Sequence, residues 1–97
     1  CNNKLIGVYD FVSSTDGRSS NAGDPSGHGT HVAGTAVGNA ISTTVSGTPV
    51  NISGVAPRAN LISYRGCGST PDSRGCGGTA PLLASINQAI ADRVDVI

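Results

Sequence analysis

Apolar residues recur along this chain with two different periods, separated by polar, glycine-rich connections. Lys4 to Val12 (Lys-Leu-Ile-Gly-Val-Tyr-Asp-Phe-Val) is rich in β-branched and aromatic residues and predicts a strand. Ser13 to Gly27 is a polar loop in which Pro25 acts as a breaker. A helix is predicted from His28 through Val32, Ala33, Ala36 and Val37, with Gly38-Asn39 as its stop. Ser42 to Gly54 is a Thr/Ser/Gly-rich excursion with the character of a hairpin, and Asn60 to Arg65 is a second strand. The clearest block follows. Thr79 is the candidate N-cap, Pro81 sits in the first turn, and Leu82, Leu83, Ile86, Ala89 and Ile90 recur at helical spacing. Val94-Asp95-Val96-Ile97 reads as a third strand just beginning. Strand, helix, strand, helix, strand is the α/β pattern of a parallel sheet with covering helices. No internal repeat is present.

Composition narrows the picture. The chain has 97 residues, small enough that burial is inefficient. It starts at Cys1 and stops inside an apolar run, so a piece of a longer protein is expected. Six Lys and Arg balance six Asp and Glu, and the basic residues are scattered. That argues against a nucleic-acid partner and against a charged tail. The apolar stretches fall far short of the roughly 20 residues that span a bilayer, so no membrane association is expected. Fourteen glycines with one Phe, two Tyr and no Trp suit Gly-rich loops and close backbone packing rather than a bulky aromatic core.

Three cysteines are an odd number. Cys67 and Cys76 bracket a turn-rich loop whose ends could close a disulfide, which would leave Cys1 to a partner elsewhere. Free buried thiols in a cytosolic protein are the alternative.

The chemistry concentrates in Asp24-Pro-Ser-Gly-His-Gly-Thr-His-Val-Ala-Gly-Thr35. His28 stands at the mouth of a helix between Gly27 and Gly29, which leave room for a reactant to approach the imidazole. An imidazole in that position is able to act as a general base. To hold the proton it accepts, such a base needs a carboxylate behind it. Gly34 inside the helix implies a close backbone contact there, since it otherwise costs about 1 kcal/mol relative to Ala.

This segment is similar to the histidine signature of the subtilase family of serine endopeptidases. Two further stretches agree in order: Gly54-Val55-Ala56-Pro57 through Leu61, and Ser85-Ile86-Asn87-Gln88-Ala89-Ile90 through Ile97. The resemblance covers about Lys4 to Ile97. It implies a fragment, residues 1–97, of a three-layer α/β/α catalytic domain truncated at both ends. It also implies a secreted enzyme that hydrolyses polypeptide substrates without a cofactor.

On the same resemblance, His28 corresponds to the catalytic base, and His31 to a buried, structural histidine. Gly75, Gly77 and Gly78 lie where the family pairs a Gly-rich strand with the substrate backbone. Cys67 and Cys76 are better taken as a disulfide than as reactive thiols. The triad order is Asp, His, Ser. Asp10 does not have the expected setting for the aspartate, Asp16 is too close to His28, and no Gly-Thr-Ser-Met-Ala nucleophile motif is present. Arg93 stands where a glycine is common.

Two rival readings stand beside this one. A metal module would recruit His28, His31, Cys67 and Cys76 as zinc ligands, but no Cys-x-x-Cys or i, i+4 histidine pair supports it, and no metal site is expected. A non-catalytic subtilase-like domain would lack the downstream serine. Asn51-Ile52-Ser53 is a glycosylation sequon, meaningful in a eukaryote if exposed. Open sheet edges left by truncation would favour association, so an oligomer of this piece would be an artefact. If the disulfide forms, thiol titration of the unreduced chain finds one free thiol, at Cys1. Three would remove the disulfide and weaken the secreted assignment.

Overall fold

A computed structural model of the chain describes residues 2–14, 17–18, 23–70, 73–75 and 78–97, with residues 69, 70 and 73–75 as backbone. Six strands and two helices occur among them: β1 (Leu5–Asp10), α1 (His28–Val37), β2 (Ile41–Val45), β3 (Thr48–Ile52), β4 (Leu61–Arg65), β5 (Gly68–Thr70), β6 (Ser73–Gly75) and α2 (Thr79–Ala91). The α/β class holds, since β1 and β4 pair in parallel and α2 packs against β4.

The β1–β4 register runs from Leu5 opposite Leu61 to Asp10 opposite Arg65, with an irregularity between Leu5 and Gly7. Tyr9 and Tyr64, register partners, stack with ring centroids 5.3 Å apart, and Phe11 stacks on Tyr9 at 6.1 Å. The chain's few aromatics are thus spent on one patch. Asp92, at the C-cap of α2, accepts hydrogen bonds from the Tyr64 hydroxyl at 2.8 Å, from Tyr9 at 3.4 Å and from Gln88 Nε2 at 2.9 Å. Burial and the Asp92 hydrogen bond push the Tyr64 hydroxyl far above its ordinary pKa. Helix and sheet are therefore joined by a polar clasp over aromatic rings.

Asp10 is the one large side chain fully withdrawn from solvent among the described residues. Burial would raise its pKa, but the hydrogen bonds from Ser13 and Val12 and the Arg65 charge outweigh that, and the net shift is downward. Oδ1 accepts the Val12 and Ser13 amides at 3.0 and 3.1 Å, and Oδ2 meets Arg65 Nη1 at 3.2 Å. Asp10 ends β1 by capping the turn that follows it.

The Ser/Thr-rich excursion is a hairpin, Ile41 pairing with Ile52 and Val45 with Thr48. Ser46 and Gly47 both take positive φ, 50° and 82°, the two-residue turn whose twist matches a hairpin. Cys67 to Cys76, read as a turn-rich loop, contains a second hairpin in which Gly68 opposes Gly75.

Several expectations need correction. Val94–Ile97 is not a strand; no described strand edge pairs with it, and Val96 and Ile97 stand in solvent. The N-cap of α2 is Gly78 rather than Thr79, which opens the helix without a side-chain cap. Pro81 therefore sits third in the helix, where its missing N–H costs nothing. Gly34 has open space around its Cβ direction, so no described neighbour explains it.

At the other end of α2, Arg93 has φ 56°. Its amide bonds Ile90 O at 3.1 Å and the Val94 amide bonds Ala89 O at 3.3 Å, the paired bonds of a left-handed helix stop. Glycine is the residue that takes this conformation without strain, which explains why Arg93 is a departure. Arg93→Gly should raise stability by about 0.5–1 kcal/mol, read as a Tm increase of a few degrees in thermal unfolding. An unchanged or lower Tm would count against the strain.

Candidate active site

Helix α1 begins at His28 because the chain ahead of it is built to start a helix. Gly27 takes φ 73°, a turn into the first residue that disfavours any side chain, although nothing crowds its Cβ direction. Its role is thus conformational more than one of leaving room for a reactant. Gly27 supplies no side-chain cap, so Asp24 does. Asp24 Oδ2 accepts both the Thr30 amide and the Thr30 hydroxyl at 2.7 Å, and Oδ1 accepts the Gly27 amide at 3.0 Å. A carboxylate on the positive end of a helix is favourable in sign as well as geometry. The two Thr30 hydrogen bonds are the main reason the Asp24 carboxyl lies below its ordinary pKa.

The far end of α1 is closed by the Gly-Val-Ala-Pro segment. The amides of Gly54, Val55 and Ala56 donate to the carbonyls of Gly38, Thr35 and Ala36 at 2.9, 3.0 and 2.9 Å. These carbonyls have no partner further along the helix. Gly54 approaches so closely that an added Cβ would lie 2.4 Å from the Gly38 nitrogen. The tight backbone contact expected at Gly34 is found here instead. Lys4 Nζ then ties the same loop to the start of β1, donating to Pro57 O at 2.7 Å and Ala59 O at 2.6 Å.

The face of α1 is open, and the helix buries no residue. His28 is exposed and borders a cleft of about 790 Å³ between the start of α1 and β4, with Asp24, Thr30, Ala33, Tyr64 and Arg65 among its walls. His31 is exposed too, which corrects the expectation of a buried histidine: no described element packs over this helix. Its amide makes the first helical hydrogen bond to Gly27 O at 3.0 Å, and its carbonyl accepts the Thr35 hydroxyl at 3.1 Å.

Asp10 does not stand behind His28. Its oxygens are taken by Val12, Ser13 and Arg65, as the sequence setting implied; Asp16 lies outside the described residues. Gly75 is in β6, opposite Gly68, and Gly78 precedes α2, while Gly77 lies outside the described residues. Cys67 is disulfide-bonded; Cys1 and Cys76 lie outside the described residues. A cysteine held in a disulfide is no thiolate ligand, so the four-ligand zinc reading loses a member. Among the described residues no group of three or more His, Cys, Asp or Glu is placed to hold a metal, and no helix is long and apolar enough to cross a membrane.

The site residue without an assigned role in the sequence is Asp24, although an acidic residue ahead of a helix start was the available signal.

A solvent-facing histidine thus stands at a clamped helix start, beside a parallel strand pair. The model of the subtilase family matches residues 4–97, and the chain belongs to that family. Over its full length it is 43% identical to subtilisin-like protease SBT4.12 of Arabidopsis thaliana, covering 12% of that protein. It is 39% identical to SBT4.4 and 40% identical to SBT2.1 of the same plant, covering 13% and 12% of them. The chain therefore spans about one eighth of the length of these curated relatives. No solved structure matches it.

Asp24→Ala should loosen the first turn of α1, with the Thr30 amide exchanging severalfold faster in hydrogen exchange while β1 and β4 are unchanged. In the unaltered chain the same loosening should follow acid. The folded-state pKa of Asp24 lies below the unfolded value near 3.9, so the cap is intact above about pH 4 and is lost as pH falls through the lowered value. Thr30 exchange that, after correction for its intrinsic rate, does not change between pH 6 and acid would contradict the cap.

Proposed function

We propose that residues 1–97 are part of the catalytic domain of a secreted subtilisin-like serine endopeptidase acting on polypeptides. The observation that carries this is His28 itself: the first residue of a helix clamped at both ends, exposed on an open cleft, within a chain that belongs to the subtilase family. In this reading a serine outside the chain attacks the substrate carbonyl. His28 accepts the serine proton and returns it to the leaving amine, while an aspartate, also outside the chain, steadies the imidazolium.

The Gly-rich stretch Gly75, Gly77 and Gly78 is proposed to receive the substrate. Among the described residues strand β6 pairs only with β5, and Gly75 at its end leaves the backbone open for an extended peptide to add as a further strand. Cys76 is the proposed partner of Cys67. Gly68 and Gly75 are opposed in the hairpin, and these cysteines are the next residues in sequence on either side. The disulfide at Cys67 supports an oxidising, extracellular destination.

In the full-length protein, His28→Ala should lower kcat by about 10⁴- to 10⁶-fold while the protein stays folded by circular dichroism. The 97-residue chain alone should neither cleave peptides nor react with a fluorophosphonate probe. Retained turnover in the folded His28→Ala protein would reject the catalytic role. Lack of any activity in the unaltered full-length protein would favour a non-catalytic member of the family.

A further inference from the structure

The sequon Asn51-Ile52-Ser53 lies at the end of β3, a place to which catalysis gives no role. We propose that Asn51 is an N-glycosylation site. Three observations carry this.

The first is the state of the side chain. Asn51 is exposed, and its Oδ1 accepts the hydroxyl hydrogen of Ser42, its register partner on β2, at 2.6 Å. That bond orients the amide and leaves Nδ2, the atom that carries the sugar, without a partner among the described residues. One Nδ2 hydrogen is replaced on glycosylation and Oδ1 is untouched, so the Ser42 bond survives the modification.

The second is the face on which Asn51 stands. The β2–β3 register sorts the hairpin into two faces. Ile41, Val45, Val50 and Ile52, with Thr43 and Thr48, share one, and Ser42, Thr44, Pro49 and Asn51 share the other. Ile41, Val45 and Ile52 are each more than half exposed, so the apolar face is the one that further protein would cover. The polar face loses by being covered, and Asn51 stays in water. Pro49, two residues back along β3 and on the same face, also marks β3 as an edge strand.

The third is the compartment. The proposal rests on the secretory reading, which the disulfide at Cys67 supports. The matched relatives come from a eukaryote, where such sequons are used.

The step balances without a redox change. Nδ2 attacks the anomeric carbon of an oligosaccharide joined through pyrophosphate to a lipid carrier. The C–N bond forms as the sugar C–O bond to pyrophosphate breaks. The lipid pyrophosphate leaves, and the amide proton passes to a base of the transferase. Ser53 supplies the hydroxyl that the transferase reads two residues downstream.

The test is peptide mapping by mass spectrometry of the full-length protein secreted from a eukaryotic host, before and after peptide N-glycosidase. The expected result is a glycopeptide containing Asn51, converted by the enzyme to a peptide with Asp at that position. Ser53→Ala, which leaves the Asn51–Ser42 bond in place, should abolish the glycopeptide, and Ser53→Thr should keep it. A secreted, disulfide-bonded protein with unmodified Asn51 overturns the proposal and leaves the secretory reading standing. A reduced protein retained in the cytosol overturns both.

Discussion

Helix α1 has no buried face, so the position of His28 depends on bonds made to the two ends of its helix. Asp24 satisfies amides at the start, and Gly54, Val55 and Ala56 satisfy carbonyls at the finish. Each set answers the same constraint: a helix leaves unpaired donors at one end and unpaired acceptors at the other. A helix of ten residues is marginal on propensity alone, and Gly34 weakens it further. The clamps replace the packing that normally holds such a helix. They also leave the histidine side chain unencumbered, because every clamp acts through backbone or through Asp24 and Thr30.

The sheet side is organised differently. Two parallel strands carry a stacked aromatic patch, and the polar tips of Tyr9 and Tyr64 reach Asp92 at the end of α2. Phe11 and Ala89 are the buried hydrophobic residues among those described. So small an apolar core makes the polar contacts matter more. Asp10 with Arg65, and Asp92 with the tyrosines, bind the strands and α2 to one another. The cleft forms where this sheet unit meets the clamped start of α1.

Much of this was legible in the residues. Periodicity placed β1, β4, α1 and α2 to within two residues at their ends, and the Gly-His-Gly-Thr-His motif located His28 and the family. Statements about burial fared worse. His31 was expected inside, Gly34 against a neighbouring backbone, and Val96 and Ile97 in a strand. Each depends on protein packed over that surface, and periodicity reports only which face would be covered, never whether it is. The capping roles of Asp24 and Gly54 were missed for another reason. Both act on backbone groups several residues away, so their signal is spacing to a helix end rather than any hydrophobic pattern. Arg93 shows the reverse case: it stands where the family commonly has glycine, and only the structure gives its left-handed φ.

The clamps on α1 also set how the chain assembles. From Asp24 to Ala56 each partner described lies within the same stretch: cap to helix, helix to the turn that follows the hairpin, hairpin strand to hairpin strand. Strand β1 reaches β4 only with that whole stretch looped out, Leu5 coming to lie beside Leu61. The entropy of loop closure thus falls on the parallel pair, while contacts of low contact order can form without it. The element bearing the histidine can consequently assemble before the parallel pair closes.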